Sequence, residues 1–228
     1  FQSLNSLPSQ PRISLELTGL YLKEEEFKIL SKITPTYSRI ASLIEEFKIS
    51  FDSIVEQNKS LMYLGELFKV CPNLKKISLS MCFINLKEGF ALREFSGSLK
   101  DLKSLRELDF NLYSTNILEE EVLDFFEGIS AISGMKKLKL DIKCQTYVFS
   151  NVMEIVGYTI LLEAMRLYLL KLVKLEELDI SFIKCSEYER KALVNLFQEL
   201  KKLKLLRKLF FRIGRDTEHN FEDNLSDF

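Results

Sequence analysis

The stretch Leu105-Arg106-Glu107-Leu108-Asp109-Phe110-Asn111-Leu112 decides how this chain folds. Its apolar and polar residues alternate. In an extended backbone Leu108, Phe110 and Leu112 share one side, and Glu107, Asp109 and Asn111 share the other. The same LxxLxL pattern recurs, with apolar swaps, at Ile44-Phe47-Ile49, Leu74-Ile77-Leu79, Met135-Leu138-Leu140, Leu175-Leu178-Ile180 and Leu206-Leu209-Phe211. First positions are separated by 30, 31, 30, 40 and 31 residues, and a degenerate copy opens the chain at Ile13, Leu15 and Leu17. The alternation carries on to Leu17, Phe51, Met81, Leu112, Ile142, Phe182 and Ile213. Random placement of that many apolar residues has a chance on the order of 10⁻⁷, so short strands are expected.

Upstream of each strand the period changes from two to the helical value. Counting back thirteen residues from the first position gives Leu61, Leu92, Val122, Leu162 and Leu193, and ten back gives Leu64, Phe95, Phe125, Met165 and Leu196. Six back gives Phe68, Leu99, Ile129, Leu169 and Leu200, and three back gives Cys71, Leu102, Ile132, Leu172 and Leu203. Steps of three and four residues trace one face of a helix. Strands that alternate with helices, without hairpin turns between them, imply parallel pairing through right-handed crossovers. One such unit cannot bury both its faces, so neighbours have to stack. The fold class expected is α/β, a right-handed solenoid with parallel strands on the concave side and helices on the convex side.

The fragment Cys71-Pro72-Asn73-Leu74-Lys75-Lys76-Ile77-Ser78-Leu79-Ser80-Met81-Cys82, followed by Ile84 and Lys87-Glu88-Gly89-Phe90, resembles a leucine-rich repeat of the ribonuclease-inhibitor-like, cysteine-containing kind. Leu105–Leu112 and Leu175–Phe182 are similar to the same strand, and the likeness extends over residues 12–213. The chain departs from that family where an Asn or Cys ladder usually stands. Those positions hold Asp52, Cys82, Tyr113, Lys143, Ile183 and Gly214, so a longer strand is expected to take over the ladder's task. The resemblance implies a protein-binding scaffold or a structural subunit of a larger assembly. It also leaves open an enzyme regulator, either a ubiquitin-ligase substrate receptor or a GTPase activator, because one fold hosts many functions.

The organisation read from this is an N-terminal flank at 1–11, a repeat domain at 12–213, and an acidic tail at 214–228. The first unit is irregular over 18–40, where Thr34-Pro35 interrupts the helix pattern. The 40-residue unit carries an insertion at 143–161. Solenoid insertions fall on loops of one face, often the binding one. Tyr147 and Phe149 are therefore candidate contacts, and extra helical turns are the competing reading of the same segment.

The remaining candidates are the strand residues that point away from the helices. One column reads Arg12, Glu46, Lys76, Glu107, Lys137, Glu177, Lys208, and the next reads Ser14, Lys48, Ser78, Asp109, Lys139, Asp179, Phe210. Neighbouring strands lie about 4.8 Å apart, so alternating charges oppose each other laterally. Such a ladder either neutralises itself or presents a charge mosaic to a partner. From these columns the candidate contacts are Lys76, Glu107, Asp109, Lys137, Lys139, Glu177, Asp179 and Lys208, together with Phe210, apolar on a charged face, and Arg212.

The 32 basic and 33 acidic residues nearly cancel, so nucleic acid is disfavoured as a partner. The cluster Lys201, Lys202, Lys204, Arg207, Lys208, Arg212 and Arg215 keeps an acidic-ligand or RNA contact through 201–215 as a second alternative. A single histidine, His219, and the absence of phosphate-loop, dinucleotide and nucleophile-elbow motifs lead us to expect no catalytic residues, no metal and no cofactor. Four cysteines without CxxC spacing suggest buried thiols in a reducing, intracellular compartment, cytoplasm or nucleus. Glu154, Glu163, Arg166 and Lys171 interrupt the most apolar stretch, 147–173, so no membrane span is expected.

Overall fold

Each strand has to pair with the strand of the next unit, because the helix between them consumes the length that a hairpin would need. The computed structural model describes residues 13–18, 25, 28–29, 31–32, 38–51, 58–85, 91–116, 119–144, 153–183 and 189–214. Among them run β1 (Ile13–Thr18), α1 (Ser38–Ala41), β2 (Ile44–Phe51), α2 (Asn58–Lys69), β3 (Lys76–Asn85), α3 (Ala91–Leu99) and β4 (Glu107–Asn116). Then follow α4 (Glu119–Ser130), β5 (Lys137–Cys144), α5 (Met153–Tyr168), a 3-10 turn (Leu169–Lys171), β6 (Glu177–Ile183), α6 (Glu189–Leu200) and β7 (Lys208–Gly214). The seven strands form one sheet in sequence order, and every pairing is parallel.

The inward strand residues meet the helix faces that their spacing predicted. At the positions thirteen, ten, six and three before each strand signature, all residues are buried except Val122 and Leu193, which are partly buried against the core. A chain of aromatic contacts threads the first half of this core. Phe47 meets Phe68 edge-on at 5.0 Å between ring centroids, and Phe68 meets Phe95 at 6.0 Å. Phe95 then stacks with Phe110 at 5.9 Å, and Phe110 lies 4.7 Å from Phe125. Such ring pairs add to the gain from burial alone.

The helix-to-strand connection is the same in five units. Leu74 donates its N–H to the Cys71 carbonyl, and Cys71 donates to Phe68. Leu105–Leu102–Leu99, Met135–Ile132–Ile129, Leu175–Leu172–Leu169 and Leu206–Leu203–Leu200 repeat those bonds. Three-residue bonds tighten the last turn of a helix and satisfy its terminal carbonyls, so an apolar residue every third position points to the core. Of the positions where that ladder is expected, Cys82, Tyr113 and Lys143 lie within strands, Ile183 and Gly214 end theirs, and Asp52 lies outside the described residues. Cys82 is paired with Tyr113, Tyr113 with Lys143, and Ile183 with Gly214, so sheet pairing satisfies the backbone there.

Two sequence expectations are corrected. The first strand pairs two residues away from the predicted register: Leu15 faces Phe47, Leu17 faces Ile49, and Glu16 rather than Ser14 faces Lys48. A two-residue slip keeps the same side chains facing inward, so period-2 patterning cannot detect it. The irregularity at Ile13/Ser14 and the ion pair of Lys48 with Glu16 at 2.6 Å accompany the observed register. Secondly, Leu209 has the sequence position of a core residue but is 40% exposed, because among the described residues no unit covers β7 from outside.

Within the 40-residue unit α5 starts at Met153, so part of 143–161 is helix and makes α5 longer than its neighbours. Tyr147 and Phe149 lie outside the described residues, as do Arg12, Thr34-Pro35, Arg215, His219 and the flank at 1–11. Of the tail at 214–228, only Gly214 is described.

Adjacent helices approach closely at small residues. A Cβ on Gly128 of α4 would lie 2.5 Å from the Ser96 Cβ and 2.7 Å from the Ser96 carbonyl of α3. A Cβ on Gly65 of α2 would lie 2.6 Å from the Ser98 Oγ. Gly97, by contrast, has nothing within 4 Å of its virtual Cβ. Gly128→Ala is expected to lower unfolding free energy by about 1–3 kcal/mol, as overpacking against backbone does. Gly97→Ala should be neutral or gain up to about 1 kcal/mol in the same denaturant titration. Leu178→Asp, at a position with 0% exposure, should cost several kcal/mol by burying an unpaired charge.

Candidate functional site

The sheet face turned away from the helices carries every described candidate residue. The register aligns Glu46, Lys76, Glu107, Lys137, Glu177 and Lys208 in one row across six strands. The next row runs Glu16, Lys48, Ser78, Asp109, Lys139, Asp179 and Phe210. Because alternate residues share a face, β4 and β6 each present two carboxylates there, while β5, between them, presents two amines.

The side chains bridge neighbouring strands. Lys137 Nζ stands 3.6 Å from Glu107 and 3.8 Å from Glu177, shared between both flanking strands. Lys208 Nζ donates to Glu177 Oε1 at 2.8 Å, and Lys139 Nζ donates to Asp109 Oδ2 at 3.3 Å. Asp179 is paired diagonally. Phe210 occupies the place opposite it, so Arg212, two residues on, reaches back with Nη2 to Oδ1 at 2.7 Å. Among the described residues Lys76 makes no ion pair, although Glu46 and Glu107 flank it in the row.

Lys76, Glu107, Asp109, Lys137, Lys139, Glu177, Asp179 and Phe210 line a shallow depression of about 240 Å³, which also reaches Leu108, Leu138 and Leu178, whereas Lys208 and Arg212 lie outside it. Phe210, half exposed at 51%, is its aromatic wall. The depression therefore combines carboxylates, amines and one apolar surface. Such a set suits the mixed side chains of a polypeptide better than a uniformly charged ligand.

A second ladder, one residue nearer the helix ends, escaped the sequence reading. Lys75 Nζ donates to Glu45 Oε1 at 2.7 Å, and Lys136 Nζ donates to Glu176 Oε1 at 2.8 Å. Reading the column one position earlier, as Glu45, Lys75, Arg106, Lys136, Glu176, Arg207, would have exposed it. Arg106 breaks the pattern, since its Nη1 donates to the Lys103 and Leu105 carbonyls instead. The basic cluster is partly neutralised in the same way. Lys202 pairs with Glu199 at 2.6 Å, while Lys208 and Arg212 are held by β6.

Two carboxyls feel this arrangement most. The hydrogen bond from Lys208 holds Glu177 below its ordinary value, with desolvation opposing and the charge of Lys137 adding to it. Glu176 is lowered by its hydrogen bond from Lys136, then by the charge of Lys136, and less by Arg207 and Lys137. Away from this face, burial pushes the Cys71 thiol up to about 11, which makes it a poor nucleophile near neutrality. Among the described residues no helix is long and apolar enough to cross a membrane. Nor do three His, Cys, Asp or Glu residues gather there as a metal-ligand set.

No family model matches the chain, and no curated protein matches it. Among solved structures it is similar to a chain in "Crystal structure of TLR13-ssRNA13 complex", with 14% sequence identity and a TM-score of 0.31. That similarity covers 95% of this chain and 38% of the other, so this chain spans well under half of that protein's length.

The pairing has a pH signature. A carboxyl whose folded value is depressed stabilises the fold fully above its ordinary value of 4.5, and the contribution disappears as pH falls through the lowered value. Lys208→Met should return Glu177 toward 4.5, read by carboxyl NMR titration, and should flatten the acid limb of the stability curve.

Proposed function

We propose that the chain is a leucine-rich-repeat solenoid of the ribonuclease-inhibitor-like kind that works as a non-catalytic scaffold for a protein partner. Six regular units and one irregular N-terminal unit stack through the sequence-ordered parallel sheet, and recognition takes place on the helix-free face. The observation that carries this reading is the depression between Lys76 and Phe210, where both signs of charge meet an exposed aromatic ring. Aromatic residues that combine area with a rigid side chain are the usual anchors of protein interfaces, and a surrounding charge mosaic selects the partner.

The ladder gives the face its rigidity, since most of its charges are already held by neighbours across the strands. Among the described residues that line the depression, Lys76 and Phe210 can be engaged by a partner without breaking an ion pair. Within the same reading the segment 143–161, with Tyr147 and Phe149, supplies a further contact to the partner. A reducing intracellular setting goes with it, in keeping with four cysteines that lack CxxC spacing.

The test is affinity purification from native extract, followed by mass spectrometry and by capture with variants. Phe210→Ala combined with Lys76→Gln should reduce capture of the recovered partner by tenfold or more, with the thermal midpoint nearly unchanged. Capture equal to wild type in that variant would remove the assignment of the face. Turnover of any substrate by the purified chain would remove the non-catalytic reading. Tyr147→Ala with Phe149→Ala should weaken capture without unfolding the chain, and undiminished binding would exclude the insertion from the contact.

A further inference from the structure

The connections that lead from each helix into the next strand lie side by side along one edge of the sheet, and they are basic. Backbone bonds tie neighbours together: Lys136 donates its N–H to the Arg106 carbonyl, Glu176 to Lys136, and Arg207 to Glu176. Over 69–75, 99–106, 130–136, 169–176 and 200–207, twelve basic residues stand against two acidic ones, Asp101 and Glu176. Two features separate this edge from the charge ladder beside it. The ladder alternates in sign, whereas Lys103, Lys174 and Lys204 repeat one sign at near-equivalent places. The ladder's charges are mostly paired, whereas Lys100, Lys103, Lys174, Lys201, Lys204 and Arg207 are exposed and make no ion pair among the described residues. Arg106 carries charge to the otherwise neutral turn before Lys136. Its Nη1 occupies the space that a Cβ on Gly134 would need, held there by the Lys103 and Leu105 carbonyls.

Helix C-termini favour nearby cations, yet that effect fades within the last turn and does not require neighbouring turns to share one sign. Exposure here belongs to the repeat itself. The place two before each strand signature holds Pro72, Lys103, Ser133, Val173 and Lys204, and every one is exposed. We infer that this edge is a docking surface for an acidic polypeptide segment. Charge complementarity selects an anionic occupant. The five connections contain no aromatic residue, whereas single-stranded nucleic acid uses aromatic side chains as stacking platforms. Ten of the twelve basic residues are lysines, not the arginines that fork onto phosphate. Val173 at 65% exposure and Leu205 at 45% add apolar contacts among the amines, which a polypeptide can meet with side chains of its own. From Lys103 to Lys204 the edge crosses three strand spacings, no less than about 14 Å, so a segment of about five extended residues reaches across it.

The experiment uses the full chain and a fluorescent decapeptide of eight glutamates and two leucines, with binding read by anisotropy. Affinity should fall roughly tenfold between about 50 and about 200 mM salt. At the lower salt, Lys103→Gln with Lys174→Gln and Lys204→Gln should weaken binding tenfold or more, with the thermal midpoint nearly unchanged. Lys32→Gln with Lys59→Gln and Lys191→Gln, an equal charge change at exposed lysines elsewhere, should alter it less than twofold. Phe210→Ala with Lys76→Gln should leave it intact, so this edge and the helix-free face are judged separately. No peptide binding at the lower salt, equal losses in the two triple variants, or loss in the Phe210 variant would overturn the assignment. So would tighter binding of a single-stranded oligouridine, or of vesicles of phosphatidylserine and phosphatidylcholine, since a polynucleotide or a membrane would then be the occupant.

Discussion

The structure depends on lateral burial between units. A strand and its helix supply one apolar face each, and within a single unit these faces cover each other only in part. Each needs the corresponding faces of the units on both sides. In the interior this is met. Leu74, Leu105, Met135 and Leu175 are fully buried at equivalent places, and the phenylalanine contacts pass from one unit to the next. At β7 it is not met, and the same residue type in the same row becomes exposed. Burial thus follows position in the array more than residue identity, as expected when stability sums over nearest neighbours.

The charged face follows from that constraint. Once one side of every strand is committed to the core, the other side has to be polar, and parallel register sets like positions beside each other. Charges of one sign in every unit would repel along the whole row. Alternation from strand to strand converts that repulsion into pairing, and Lys137 between Glu107 and Glu177 is its most complete instance. Exposed pairs add little stability individually. Their effect here is to fix the orientation of long side chains in a defined pattern.

The fold was largely legible because both periodicities are strong and the unit length is nearly constant. Leu61, Leu64 and Phe68 lie on one helix face for the same reason that Ile77, Leu79 and Met81 lie on one strand face, and all are buried. What the sequence left undetermined has physical causes. A slip by two residues preserves every inward side chain, so nothing in the apolar pattern separates Ser14 from Glu16 as the neighbour of Lys48. The diagonal reach of Arg212 to Asp179 depends on Phe210 occupying the direct place, which only the register reveals. The columns of the candidate face were readable, whereas the depression between Lys76 and Phe210 exists only once side chains settle on particular neighbours.

Helices and strands do not share a natural lateral pitch. Strands in a sheet repeat at about 4.8 Å, whereas packed helices require about 8–10 Å between axes. Units that carry both behave as wedges, wider on the helical side, and a row of them turns through an angle at each step. The contacts of Gly65 with Ser98 and of Gly128 with Ser96 narrow that wide side at α2–α3 and α3–α4. The turn per unit should therefore be smallest there and larger toward α5 and α6. The sheet would then be flatter over β3 and β4 than over β6 and β7.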